Sequence, residues 1–336
     1  MRDASKILAG SETPRELSSP RLESRVESSG SCFLCAGLLE QGEADLFDTR
    51  FGIGGRYEVR RCKDCRLEQV FPVPEPAALK ALYESHYNFG GQSGTLYTRL
   101  REWFIFSSLY RLWTRVDGDI SFHLCRGSGR LLDIGCNEGR GLRIYASNGF
   151  HVEGLELNEA AARVARKTGF KVHTDLLEEF APESPYDVAV LSNVLEHSLN
   201  PREMLLDVHR ILASGGQVWI SCPNNQSWLR AAFGRCWINW HVPFHISHFD
   251  RDTLGRLLAG AGFAKIKVRQ ITPALWVAQS TIALLFSRES QKTRELRSSF
   301  VTLFLMLFAR LLFFPVLWIG NRLGRGDCLL VAATKA

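Results

Sequence analysis

A doubly wound α/β sheet behind a small cysteine ribbon is the architecture this sequence predicts, and three stretches carry the prediction. Residues 130–156 read as strand, glycine turn, helix, strand and acid, which is one βαβ unit. Two more apolar strands, 186–193 and 217–225, flank a helical pattern that Pro201 opens. Strands that alternate with helices build a parallel sheet with helices on both faces. Ahead of all this stand two C-x-x-C pairs, Cys32/Cys35 and Cys62/Cys65.

The βαβ unit carries the chemistry. Leu131, Leu132 and Ile134 form a buried strand around Asp133, and Gly135, Asn137, Gly139 and Gly141 then interrupt regular structure. Such glycines let backbone approach a ligand closely. The second strand, 151–155, ends on Glu156, placed to accept both hydroxyls of a ribose. A dinucleotide fingerprint needs glycine at 135, 137 and 140, and this chain has Asn137 and Arg140 at the last two. Asn is the next best residue after Gly for positive φ, so the turn tolerates the exchange.

The string D-x-G-x-N-x-G-x-G from Asp133 resembles motif I of the class I S-adenosylmethionine-dependent methyltransferases, with Asn137 replacing the middle glycine. YDVAVLSNVLEHSLNP, from Tyr186 to Pro201, looks like the fourth-strand motif of a large bacterial group in that family. WINWHVPFHISHFDRDTLGRLLAGAGF resembles the same group's segment of histidine, phenylalanine and a helix ending in AGF. The resemblance implies a Rossmann-like doubly wound sheet of seven strands, with core 127–272 and a final antiparallel strand at 326–336. It implies S-adenosylmethionine as methyl donor, held by Asp133, Gly135, Asn137, Gly139, Glu156, Leu157 and Asn193. Asp175 either accepts the adenine amino group or caps the following helix.

Residues 31–72 read as a zinc ribbon. Its two knuckles, 26 residues apart, offer four thiolates to a tetrahedral ion and leave no position open, so the zinc is structural. Arg60, Arg61 and Lys63 would offset its charge. Nine cysteines, an odd number without a secretion signal, fit a reducing cytoplasm rather than a disulfide framework. Residues 1–30, Ser-, Arg- and Glu-rich with no apolar core, read as a disordered tail. The net charge of +6 suits an anionic surface without requiring nucleic acid. The ribbon also lacks a dense basic–aromatic stripe, so no nucleic acid is expected.

After the proline-rich linker at 71–76, residues 73–126 read as a helical linker or lid. One helical stretch covers 77–87, glycines at 90 and 91 break it, and an aromatic amphipathic helix covers 97–116. These helices either pack on the sheet or place Tyr83 and Tyr87 over the methyl donor, as in related methyltransferases.

His241, His245 and His248 precede the helix that Asp250 caps. Histidine titrates nearest neutrality and can take a proton from an acceptor hydroxyl. His245 leads as base, with His197 and His248 as alternates. A three-histidine metal site and plain hydrogen bonding remain as alternatives, the former without a companion carboxylate at motif spacing.

Residues 273–325 read as an apolar helical insertion. Phe300 to Ile319 is apolar but for Thr302, Arg310 and Pro315, long enough to span a bilayer. A full crossing would strand the last strand away from the sheet, so an in-plane or re-entrant helix with Arg310 near phosphates is expected. A buried or dimer-forming helix is the rival. Basic flanks favour the inner face of the cytoplasmic membrane. The resemblance and this location together imply O-methylation of a carbohydrate or lipid-linked acceptor in envelope polysaccharide synthesis. A sugar C-methyltransferase, a non-catalytic S-adenosylmethionine-binding module and a nucleic-acid methyltransferase are the alternatives.

Overall fold

The computed structural model describes residues 31–86 and 102–336. The expectations for the tail 1–30, for Tyr87 and for the start of the second linker helix lie outside the described residues.

Seven strands form the main sheet: β4 (Arg130–Ile134), β5 (His151–Leu155), β6 (Lys171–His173), β7 (Tyr186–Ser192), β8 (Leu212–Pro223), β10 (Phe263–Ile271) and β11 (Cys328–Lys335). Their order is β10-β11-β8-β7-β4-β5-β6. β4 pairs in parallel with β5 and β7, and β8 continues the parallel run beside β7. β11 runs antiparallel between β8 and β10, as the sequence predicts. The strand order therefore reverses at β4, and the ends of β4 and β7 border a switch point of the kind where ligands bind in open α/β sheets.

Local chemistry sets the element ends. Asn158 accepts from the Ala160 and Ala161 amides at the start of the helix Glu159–Arg166. Asp250 accepts from Thr253 N at 2.7 Å and caps Arg251–Gly260. Each such cap satisfies a donor the helix leaves unpaired. In the linker, one helix covers Pro76–His86 and another Ser108–Asp117. The single aromatic helix expected over 97–116 is broken at Ser107, whose side chain caps the second piece. Leu109, Leu112 and Val116 on that piece are exposed, while its buried residues are Thr114 and Asp117. Those three apolar residues are thus left uncovered, while Tyr110 and Trp113 are half-buried.

The cysteine segment forms β1 (Leu39–Gln41), β2 (Glu58–Cys62) and β3 (Glu68–Phe71). A fourth strand completes this sheet: β9, Ser247–His248, from the histidine segment. Glu68 pairs with His248 and Gln69 with Ser247. Arg230 bridges to the buried Glu68 at 2.7 Å and stacks over Trp240. Cys32, Cys62 and Leu67 join the same apolar cluster as β7 and β8, so the ribbon is built into the core.

The insertion divides. Its first helix, Ala274–Phe286, buries Ala274, Trp276, Val277, Ala278, Ser280, Ile282 and Ala283 and belongs to the core. Ser299–Leu312 and Phe314–Arg322 follow, bent by 73°, and neither is long enough to cross a membrane. Arg310 does not reach toward phosphates. It is buried, its Nε donates to Asp117 Oδ1 at 3.0 Å and its Nη2 to Thr272 O at 2.8 Å. Asp117 also accepts from Ala274 N at 2.9 Å, so this ion pair ties three helices together.

Candidate active site

The glycine turn holds its predicted residues together. Gly135 has φ of 72°, and a Cβ there would meet Val194 Cγ2 at 2.8 Å. Asn137 adopts φ of 50°, the left-handed conformation expected of it. Its amide donates to Glu156 Oε2 at 2.9 Å, and Asn158 N donates to Glu156 Oε1 at 2.8 Å. Those two bonds aim the carboxylate at the mouth of the turn and leave each oxygen further accepting capacity. Asp133 lies beneath, buried, its carboxyl pushed up to about 7 by burial and by the charge of Glu156. Leu157, beside Glu156, is exposed. Asn193 has φ of 54° at the end of β7, and its buried Oδ1 has no hydrogen-bond partner among the described residues.

Asp175 caps no helix, since the residues after it form a turn. It is exposed and lines a cavity of about 330 Å³ with Arg130, Glu153, His173 and Tyr186. Arg130 and His173 both bond Glu153 there and, although burial opposes it, hold its carboxyl down at about 2.

The histidines gather from distant stretches. His197 lies in the turn after β7, and its ring centroid is 4.6 Å from that of His245. His241 packs 4.8 Å from His245 on another side. His245 Nδ1 lies 2.7 Å from Asn239 O. A carbonyl oxygen can only accept, so Nδ1 carries the proton and Nε2 the lone pair. His197 Nδ1 stands 3.0 Å from Phe244 O and 2.7 Å from Tyr83 Oη, and the carbonyl fixes the same tautomer. Burial holds the His197 imidazole down at about 4 and His245 well below its ordinary value, so both rings are neutral at pH 7. His248 instead packs against Trp240 and Trp237 with no hydrogen-bond partner for either ring nitrogen among the described residues. The structure groups His197 and His245 and sets His248 aside.

Two residues of this region, Asp327 and Glu196, are not evident in the sequence pattern, and a third, Tyr83, expected in a lid, bonds a histidine. Asp327, buried at the start of the last strand, accepts from Trp237 Nε1 at 2.8 Å and Asn239 Nδ2 at 3.0 Å. It thereby orients the carbonyl residue that holds His245. Tyr83 reaches His197, so the first linker helix contributes to the histidine cluster. Glu196 is 1% exposed, its Oε1 is 4.0 Å from His245 Nε2, and burial pushes its carboxyl up to about 8. It is the companion carboxylate that sequence spacing alone does not reveal, because its histidine partner lies far along the chain.

The four ribbon thiols converge. Cys32 and Cys65 Sγ are 3.4 Å apart, Cys35 and Cys62 Sγ 3.5 Å, and all four lie within 4.8 Å of one another. Backbone amides of Leu34 and Cys65 point at two of the sulfurs. Zinc–sulfur bonds of about 2.3 Å in a tetrahedron match this cluster. Of the three expected basic neighbours, Arg60 pairs with Glu58 and Lys63 with Glu40.

A seven-stranded sheet with one antiparallel strand, a glycine turn and a strand-end carboxylate over it defines the class: a Rossmann-like doubly wound α/β protein with a ligand site at its switch point. Residues 104–268 match the family model described as a methyltransferase domain. A probable S-adenosylmethionine-dependent methyltransferase of Mycolicibacterium smegmatis is 31% identical over 144 residues, 42% of this chain and 54% of that protein. A ubiquinone biosynthesis O-methyltransferase of Klebsiella pneumoniae is 32% identical over 124 residues, 34% of this chain and 51% of that one. The chain thus spans about half the length of the curated relatives it matches. Among solved structures, a Burkholderia thailandensis 1,6-didemethyltoxoflavin-N1-methyltransferase is 15% identical with TM-score 0.46, covering 88% of this chain and 100% of that one.

Proposed function

We propose that this protein transfers the methyl group of S-adenosylmethionine to a hydroxyl of a sugar or lipid-linked glycan at a membrane surface. The observation that carries the donor assignment is Glu156, held by two backbone amides over the glycine turn. Asp133, Gly135, Asn137, Gly139, Leu157, Asp175 and Asn193 complete the proposed donor site. The sulfonium already activates its methyl group, so the protein's work is in-line positioning and removal of the acceptor proton. The Nε2 lone pairs of His197 and His245 are the groups offered for that proton. Zinc on Cys32, Cys35, Cys62 and Cys65 is proposed as structural, since it would stiffen the sheet that carries β9.

The membrane assignment is supported by surface chemistry. In the bent pair Ser299–Leu312 and Phe314–Arg322, only Ala309, Arg310, Leu317 and Gly320 are buried. Phe300 and Leu311 are exposed to 81% and 83%, with Phe304, Phe308, Trp318 and Ile319 exposed beside them. Arg288, Lys292, Arg294, Arg297, Arg322 and Arg325 flank the pair against Glu289, Glu295 and the buried Asp327, a balance that suits anionic lipid. Transfer to oxygen is further supported by the O-methyltransferase relatives. Because those relatives are named for ubiquinone biosynthesis, a small lipid-soluble acceptor is the second reading.

The test is mass spectrometry of lipid extracts incubated with the full chain and isotope-labelled donor. Label in glycan-bearing lipid supports the first acceptor, and label in small lipid-soluble products supports the second. Donor consumption without label in any product would overturn both. Flotation with anionic vesicles tests the surface: the full chain is expected to float, and a chain with Phe304, Phe308, Phe313 and Phe314 changed to Ser is not. A full chain that stays dimeric and unbound would decide for a protein partner.

A further inference from the structure

Backbone and ring hydrogen bonds join the VLEH turn to the histidine segment, but none of them involves the Glu196 carboxylate. Both carboxylate oxygens of Glu196 are buried without a partner among the described residues. A buried carboxylate in that state is costly unless a cation or donor stands against it. The nearest polar group, His245 Nε2 at 4.0 Å, is too far for a hydrogen bond. It also presents a lone pair rather than a proton. His197 presents a second, because its Nδ1 proton is committed to Phe244 O.

We propose that Glu196, His197 and His245 bind one divalent transition-metal cation, a second metal site distinct from the cysteine ribbon. Their three ligand atoms lie within 4.8 Å of one another. Bonds of about 2.0–2.2 Å require the widest pair to close by about 1 Å. Metal-bound imidazoles usually donate their other nitrogen to a carbonyl or carboxylate, which fixes tautomer and ring orientation. That arrangement is built here twice, through Asn239 O and Phe244 O. Asp327 anchors Asn239 in turn, and Ile246 N donates to Glu196 O at 2.8 Å, locking the two segments together. Two neutral imidazoles and one carboxylate suit manganese, iron, cobalt or zinc and leave positions open for a further ligand. The inference concerns the same cluster as the proposed acceptor site. With the cation bound, the Nε2 atoms of His197 and His245 offered above for the acceptor proton are ligands, and they take that proton only in the metal-free state.

The experiment uses the full chain with its ribbon loaded with zinc. Titration with Mn²⁺, which four thiolates bind poorly, is followed by loss of the free-ion paramagnetic resonance signal. One Mn²⁺ per chain is expected. Glu196→Gln and His245→Gln are each expected to weaken it at least about 10- to 100-fold, the range for groups one shell further out, with S-adenosylhomocysteine affinity unchanged. Co²⁺ supplies a second readout on the unsubstituted chain, should a variant fail to fold. Weak visible bands without thiolate charge transfer are expected beyond the ribbon's own. A folded chain that takes up no Mn²⁺ or Co²⁺ outside the ribbon would overturn the proposal, as would uptake indifferent to both substitutions. Either result would leave methyl transfer standing.

Discussion

The glycine turn and the histidine cluster treat a carboxylate in opposite ways. Glu156 sits at the surface of a continuous stretch, and two amides within three residues of the turn or the acid itself satisfy it. Glu196 is buried, and apart from His197 beside it the groups around it come from elsewhere: His245 from a loop, held by the carbonyl of an asparagine that Asp327, just ahead of the last strand, holds in turn. Even the loop's strand, β9, is paired to the ribbon. A site made of one stretch needs only its own backbone. A site made of four needs the whole fold, so damage far away should reach the second and spare the first.

Removing the zinc proposed for the ribbon is the strongest way to break that comparison. Structural zinc contributes on the order of 10 kcal/mol in small domains, and its loss should release β1–β3 and, with them, β9. Hydrogen exchange after chelation is expected to show protection lost across residues 58–71 and 245–248 but retained in β4 and β7. S-adenosylhomocysteine binding, measured by calorimetry, is expected to persist. Loss of binding together with the ribbon would show that the two sites are not separable.

The same contrast decides what the sequence reveals. Asn137 at positive φ, the caps Asn158 and Asp250, and Glu156 at the end of β5 are all legible, because each depends on residues within a turn or one βαβ unit. Glu196 is visible as a letter in VLEH, but its role depends on a histidine brought up by tertiary folding. The pairing of β3 with β9 rests on two residues, too few for any alternation to register. Arg310 fails for another reason. In a run apolar on every side, periodicity cannot say which face is buried, and here that face contains the only charge.

Arg310 also offers the next largest effect. Helix Ala274–Phe286 supports the histidine loop through Ser280, which accepts from Ile238 N at 3.1 Å, and Asp117 with Arg310 holds the start of that helix. Arg310→Met leaves a buried carboxylate unpaired and is expected to cost about 3–5 kcal/mol. Combining it with Asp117→Asn should recover much of that loss. Denaturant unfolding of the two single variants and the double variant measures it. Full additivity of the single costs would mean that the pair does not act as one.

At the glycine turn the effects are smaller and confined to ligand. On the proposed donor assignment, Glu156→Ala removes charge-assisted hydrogen bonds to a ribose and is expected to weaken S-adenosylhomocysteine by roughly 1–3 kcal/mol. The melting temperature should move little, since the carboxylate is not buried. Calorimetry beside a thermal scan separates the two quantities. An equal loss in both would mean that Glu156 organises the fold rather than the ligand.

The smallest effect tests the turn's single departure from the family pattern. Asn137 at φ 50° occupies a conformation that costs an ordinary L-residue roughly 1–2 kcal/mol and glycine almost nothing. Against that, its Oδ1 accepts from Glu138 N at 2.8 Å, a local bond that glycine lacks, and glycine also loses more chain entropy on folding. The terms oppose one another, so Asn137→Gly is expected to change stability by less than about 1 kcal/mol and to leave donor affinity within a few-fold. Asn137→Val combines the strained φ with a β-branched side chain and no acceptor, and should cost more on both counts. Urea unfolding and calorimetry of the two variants give the comparison. A tolerated valine would mean that the turn relaxes out of the left-handed conformation, and that the Asn137 amide is not what positions Glu156.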